Sequence, residues 1–321
     1  MSRILTGIQS TGTPHLGNIL GAIIPAIELS KKNNESFLFI ADLHSLTQIK
    51  DAKELKENTY STAATWLAFG LNPQKTIFYK QSDIPVTTEL AWILSSYFPY
   101  QRLTLAHSFK DKSNDLKSVN AALFTYPMLM AADILLYDAN YVPVGKDQIQ
   151  HLEITRNVAS KFNNLHGETL ILPEAIIDDN TKLIIGTDGQ KMSKSKNNII
   201  NIFLSDKQLK KQIMSIKTDS LPVESVKNPN TCNVFKLYSL IANDNQVKKI
   251  KEKYENGGYG YGEAKSQLFE LILETYAKQR DTYYYLMDNK TEIDQILEEG
   301  SIRAKKIADQ VIKRVKSKLG F

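Results

Sequence analysis

Cysteine is all but missing from these 321 residues: Cys232 stands alone. An intramolecular disulfide is therefore excluded, and a reducing, cytoplasmic compartment is expected. Five histidines are scattered without ligand spacing, which excludes the usual structural zinc patterns, so no metal site built by the protein is expected. No apolar run is long enough to span a bilayer, and the apolar residues after Met1 stop at Gly7, too soon for a secretory leader. The chain also lacks a Gly-Lys-Ser/Thr phosphate loop and the G-x-G-x-x-G dinucleotide fingerprint. What is present is 42% apolar residues, enough for a real core and for roughly two domains of ordinary size.

Charge is unevenly placed. Residues 1–200 carry 19 Lys+Arg against 19 Asp+Glu, whereas residues 201–321 carry 21 against 16. A neutral front and a basic rear suggest a polyanion met mainly by the second part, although a solvated helical surface rich in lysine has the same composition. Short apolar runs at Ile4–Leu5, 37–41, 77–79, 141–144 and 183–185 alternate with longer helical patterns, which predicts an α/β fold of βαβ units around a parallel sheet. Thr13 as cap and Pro14 as first residue predict a helix starting near residue 14, and a second helix is expected over about 52–69, ending at Gly70. From about residue 206 only helical spacing continues, and 256–262, with four glycines, reads as a turn or mobile loop.

Two segments carry chemistry. The first βα turn, Thr6 to Asn18, is built of small residues and leads into a helix, whose N-terminal N–H groups and dipole favour phosphate; a tight turn without a ligand would look the same. Far downstream, Lys191-Met192-Ser193-Lys194-Ser195 puts two lysines in a polar loop within reach of a triphosphate, or of water alone. Taken together, His15-Leu16-Gly17-Asn18 and this loop resemble the two signatures of the class I aminoacyl-tRNA synthetases. Asn18 stands where the last histidine of the first signature would be, a form similar to that of the tyrosine and tryptophan branch, and its amide still donates to phosphate oxygen.

Within the apolar stretch Leu123–Tyr137 one carboxylate, Asp133, is costly to bury unless something satisfies it; a helix-end contact or a backbone hydrogen bond would do so. The string closely resembles the specificity helix of tryptophanyl-tRNA synthetases, which implies that Asp133 accepts the indole N–H. Phenylalanine would then leave Asp133 unpaired. Tyrosine must be excluded by pocket shape, with Met130, Val142 and Val144 as apolar walls. The string Val142 to His151 is similar to the same family, and implies that Gln148 meets the amino group, with Gln9 and His44 near the amino acid and Gly145 and Asp147 near the ribose.

The resemblance runs through nearly the whole chain, loosely in the C-terminal part. It implies a Rossmann-like parallel-sheet catalytic domain over 1–205, an all-helical anticodon-binding domain over 206–296, and a helix over 297–321 packing back on the first domain. By the same likeness ATP would meet Gln9, Ser10, Thr11, Gly17, Asn18, Gly145, Lys146, Asp147, Ile184 and residues 191–195, including Met192, Ser193 and Ser195. Tryptophan would meet Leu5, Gly7, Gln9, His44, Tyr126, Met130, Asp133, Val142, Val144 and Gln148. His15, Asn18, Lys191, Lys194 and Lys112 would stabilise negative charge developing in the transfer, with Mg2+ carried by ATP. The partners implied are tryptophan, ATP, tRNA(Trp) and a second copy of the chain, with neither membrane nor DNA. Alternatives are a tyrosyl-tRNA synthetase, a nucleotidyltransferase of the same superfamily, and a synthetase-like RNA-binding protein without catalysis.

Overall fold

The computed structural model describes residues 2–32, 35–104, 120–145, 148–177 and 184–321. Five short strands, β1 (Arg3–Ile8), β2 (Glu35–Ile40), β3 (Ile77–Lys80), β4 (Tyr141–Pro143) and β5 (Glu174–Ile176), form one sheet in the order β3-β2-β1-β4-β5, with every neighbouring pair parallel. The order turns back between β1 and β4. In open α/β sheets ligands bind at such a switch point, beyond the C-terminal ends of the strands.

Successive strand residues point to opposite faces, and both faces are covered. Leu38, Ile40 and Phe78 enter a core shared with the helices after β1 and β2 and with the C-terminal helices; Phe37, Phe39, Ile77 and Tyr79 enter the other, with helices Val86–Ser95, Ala121–Leu135 and Ile149–His166. That is why the strands read as unbroken apolar runs. The expected strand at 183–185 is not found: Leu183 lies outside the described residues, and Ile185 makes only an isolated antiparallel bridge to Lys191. The fifth strand is instead Glu174–Ile176, an edge strand with Glu174 and Ala175 exposed, so little hydrophobic pattern marked it.

The helix after β1 also begins later than expected. Its cap is His15, not Thr13: the Asn18 N–H donates to His15 Nδ1 and the His15 N–H to Asn18 Oδ1, each at 3.2 Å, while Thr13 Oγ1 accepts from Ser61 Oγ. Over Ile19–Ile23 the helix widens to a π turn, with the Ile24 N–H reaching back to Ile19 O. Pro25 accounts for this, since its ring would strike the carbonyl of Gly21 in a regular α-helix and it has no N–H to offer. The second expected helix is found at Ala52–Ala68, with Asp51 accepting from the Glu54 N–H.

After Ile176 no further strand is found among the described residues. Helices Asp206–Met214, Asn233–Ser239, Asp244–Asn256, Tyr261–Thr275 and Ala277–Asp288 lead to the 30-residue helix Lys290–Leu319. This last helix crosses β3 at Gly300, so closely that a Cβ there would stand 1.7 Å from the Phe78 carbonyl oxygen. Beyond that crossing Ala304, Ala308, Val311, Ile312 and Val315 enter the second core. Three of its cations serve this docking rather than water: Arg303 donates to Pro73 O, Arg314 to Thr169 O and Asp138, and Lys316 to Glu89. The glycine-rich segment is a packed turn, its Gly258 N–H donating to Val223 O. No helix among the described residues is long and apolar enough to cross a membrane.

Candidate active site

The turn leaving β1 is pinned from behind. Ser10 is fully buried, its hydroxyl 3.2 Å from Ser45 Oγ and accepting from Thr59 Oγ1, and Ser61 Oγ, which donates to Thr13, lies 2.8 Å from Tyr283 Oη. The Ser10 side chain therefore faces the interior, leaving its backbone as the part able to face a ligand. Gln9 and Thr11 are half-buried beside it. Burial, reinforced by the nearby Lys194 charge, pulls His15 down to about 4, so the ring is neutral near pH 7. Because Nδ1 accepts from Asn18, the ring proton sits on Nε2. A neutral donor is thus aimed away from the cap.

The lysine loop is docked on that turn. Lys194 Nζ donates to Gly12 O at 2.7 Å, and Met192 Sδ accepts the Gly17 N–H at 3.2 Å. Gly12 has φ 121°, and a Cβ there would come 3.2 Å from Nζ, so a side chain would crowd the ammonium. Burial lowers Lys194 to about 8. The loop's shape comes from Asn198, which accepts the Ser193 N–H and donates to Lys191 O and Asp188, with Asn197 in the left-handed region at φ 51°. Ile184 O accepts the Met192 N–H, Ser193 and Ser195 share a 2.9 Å hydroxyl contact, and Lys191 is exposed.

Asp133 is 3% exposed, and neither a helix end nor a backbone group satisfies it. Gln81 Nε2 stands 2.8 Å from Oδ1 and 2.9 Å from Oδ2, and His44 Nε2 stands 2.9 Å from Oδ2. Burial pushes its carboxyl above the usual carboxylate range, opposed by the contacts with His44 and Gln81. Asp133 therefore has protein partners of its own, which corrects the expectation that phenylalanine would leave it unpaired. The Tyr126 ring stands edge-on to His44 at 6.2 Å, its hydroxyl 3.0 Å from His151 Nε2. Leu5 and Val142 lie in the core below, with Met130 and Val144 packed against it half-buried.

Gly7 is exposed at the end of β1, where a Cβ would strike the Phe39 ring at 2.4 Å. Gly145, beyond β4, accepts the Gln148 N–H, and half-buried Gln148 caps Ile149–His166. Lys112, Lys146 and Asp147 lie outside the described residues. Sequence reasoning missed Gln81 and, behind it, Asp42, which accepts the Leu43 and Ser82 N–H groups at 3.0 Å. The available signal was position, because Gln81-Ser82-Asp83 leaves the C-terminal end of β3.

Comparison with known proteins gives the same picture. The family model described as tRNA synthetases class I (W and Y) matches residues 1–277. The chain is 44% identical to a tryptophan–tRNA ligase of Campylobacter jejuni over 99% of this chain and 100% of that one, and 47% identical to one of Fusobacterium nucleatum over 100% and 98%. A crystal structure of tryptophanyl-tRNA synthetase from Campylobacter jejuni, complexed with ADP and tryptophan, superposes with a TM-score of 0.95 at 44% identity, covering 99% of this chain and 100% of that chain. A signature turn and lysine loop held in contact, an aspartate buried against His44 and Gln81, and full-length similarity of this order all agree: the chain belongs to the class I tRNA synthetases of tryptophan and tyrosine.

Proposed function

We propose that the chain is a tryptophan–tRNA ligase that joins tryptophan to AMP at the mouth of the switch point and then passes it to tRNA(Trp). The observation that carries this reading is the docking of the lysine loop on the β1 turn, together with Asp133 buried against His44 and Gln81. In the first step a tryptophan carboxylate oxygen bonds to the α-phosphorus of ATP while the bond to the bridging oxygen breaks, releasing pyrophosphate. In the second, a ribose hydroxyl of tRNA takes the acyl group and AMP leaves. Neither step needs a protein nucleophile, so the protein's part is positioning and placing positive charge where negative charge grows.

The roles divide accordingly. His15 Nε2–H and the Asn18 amide face phosphate oxygen, the neutral imidazole donating a hydrogen bond without a charge that would have to be shed. Lys194 and exposed Lys191 turn to the departing pyrophosphate, Lys194 giving up Gly12 O to do so. Asp133 accepts the indole N–H; Leu5, Met130, Val142 and Val144 wall the ring; Gln9 and Gln148 face the amino group, with Gly145 near the ribose. Mg2+ would come with ATP and would add its positive charge to that of Lys191 and Lys194 at the triphosphate. Lys112, Lys146 and Asp147 keep the roles the family resemblance implies. Residues 1–205 form the catalytic unit, 206–296 the anticodon-facing unit, and 297–321 the tie between them.

Exposed groups support the proposed partners. Trp92 is 77% and Tyr100 65% exposed, large apolar groups that a second copy of the chain would cover. Lys305, Lys306, Lys313 and Lys318 remain exposed on the last helix for tRNA phosphates, and the compartment is the cytoplasm. Amino-acid-dependent ATP–pyrophosphate exchange tests the reading. Exchange with tryptophan, and little with tyrosine or phenylalanine, is expected, falling roughly ten- to a hundredfold in kcat/KM for Asp133→Ala. Exchange driven by tyrosine would overturn the specificity, and none with any amino acid would point to a non-catalytic RNA-binding protein.

A further inference from the structure

Among the buried polar groups that sequence motifs leave unassigned, Gln81 is the most constrained. It is 1% exposed and sits where β3 ends, between the short helix after β2 and Asp133 of the helix Ala121–Leu135. Its Oε1 accepts the backbone N–H of Leu43 at 3.1 Å and of His44 at 3.3 Å, two first-turn donors of the short helix Asp42–Ser45 that have no helical partner. Its Nε2 faces Asp133. The amide cannot be turned over: a flip would set its oxygen against a carboxylate and its NH2 against two N–H groups. Asp42 reinforces this by accepting the Ser82 N–H and hydroxyl next door. The donor end of Gln81 is therefore fixed by backbone, not by its contact with Asp133.

A carboxylate offers about four lone-pair positions over its two oxygens. Gln81 occupies one on each, and His44 a second on Oδ2. Among the described residues no second donor reaches Oδ1, and one position stays open there. We infer that Gln81 is a specificity-positioning residue, which grips both oxygens of Asp133 and leaves one acceptor for a donor on the substrate's ring. This rests on the reading of Asp133 as the indole acceptor. Selection against rings without a donor then comes from a single vacant, correctly aimed lone pair on the Asp133 carboxyl, and not from leaving Asp133 without partners.

The test compares tryptophan with its benzothiophene analogue, which has sulfur in place of the ring N–H, by pyrophosphate exchange in the wild type, Gln81→Glu, Gln81→Met and Asp133→Asn. In Gln81→Glu an acceptor faces an acceptor, so one of the two carboxyls must take a proton, and the pair then shares a single charge that leaves Asp133 a weaker, less firmly aimed acceptor. The preference for tryptophan over the analogue should fall roughly tenfold, through KM for tryptophan, while the analogue's constants and both kcat values hold. Gln81→Met, which keeps length and loses the donor, should fall in the same direction by less, and decides the matter if the glutamate variant does not fold. Parallel losses for both substrates, or an unchanged ratio in both variants while Asp133→Asn lowers it, would overturn the positioning role and leave the Asp133 reading standing. An unchanged ratio in Asp133→Asn would overturn the Asp133 reading itself, and the inference with it.

Discussion

His15 and Lys194, in contact with the same turn, are both moved toward their neutral forms by burial, and the signs of the consequences can be worked out. For His15 the folded value, about 4, lies below the ordinary 6.5, so between these values the unfolded chain binds more protons and stability falls as pH drops from 6.5 towards 4. Thermal melting over that range should show a loss that His15→Gln flattens. For Lys194 the folded value, about 8, lies below 10.5, so the unfolded chain again holds the extra proton, and stability rises as pH climbs from 8 to 10.5. Lys194→Met should remove that rise in an alkaline melting series and depress exchange near pH 7. Asp133 was legible because a lone carboxylate in an apolar stretch demands an explanation. Its true partners were not, because His44 and Gln81 reach it across 89 and 52 residues. Nor did His15 look like a cap, since imidazole is not among the usual capping groups and only the reciprocal Asn18 contact makes it one.

Among the elements, the last helix shows most clearly how packing overrides local preference. Gly300 is a poor helix former in the middle of 30 helical residues, tolerated because the β3 backbone passes where any side chain would be. Gly300→Ala should therefore destabilise, against its better helix propensity, by about 2 kcal/mol, a midpoint shift measurable in urea, because β3 and the helix must separate to admit a methyl. The contrast with Gly262, which has open space about it at the first turn of Tyr261–Thr275, supplies the control: Gly262→Ala should be neutral or slightly stabilising in the same titration. Strands β1 to β4 and the Ala52–Ala68 helix could be read from apolar runs and caps. β5 could not, because an edge strand of three residues with two exposed side chains has no periodicity to display, and the π turn before Pro25 is a steric adjustment that no propensity records.

For the whole molecule, the sheet's two covered faces explain why alternation of apolar runs with helices was a sufficient guide to the architecture, while the pairing of front and rear was not. Arg303, Arg314 and Lys316 carry charge that composition assigns to a polyanion, yet each is spent on holding the last helix to the first part of the chain. On the dimer proposed above, Trp92→Glu, which puts a charge at a 77% exposed aromatic position, should shift sedimentation towards the monomer and lower tRNA charging more than pyrophosphate exchange. The lysine loop has a final consequence for the resting molecule. On the proposed reading ATP uses the Gly17 N–H and Lys194, which Met192 Sδ and Gly12 O hold here, so it competes with an intramolecular occupant whose effective concentration never falls. The apparent affinity for ATP is then the intrinsic affinity multiplied by the fraction of time the loop is undocked. Mutations that loosen the docking without touching the nucleotide will read as tighter ATP binding.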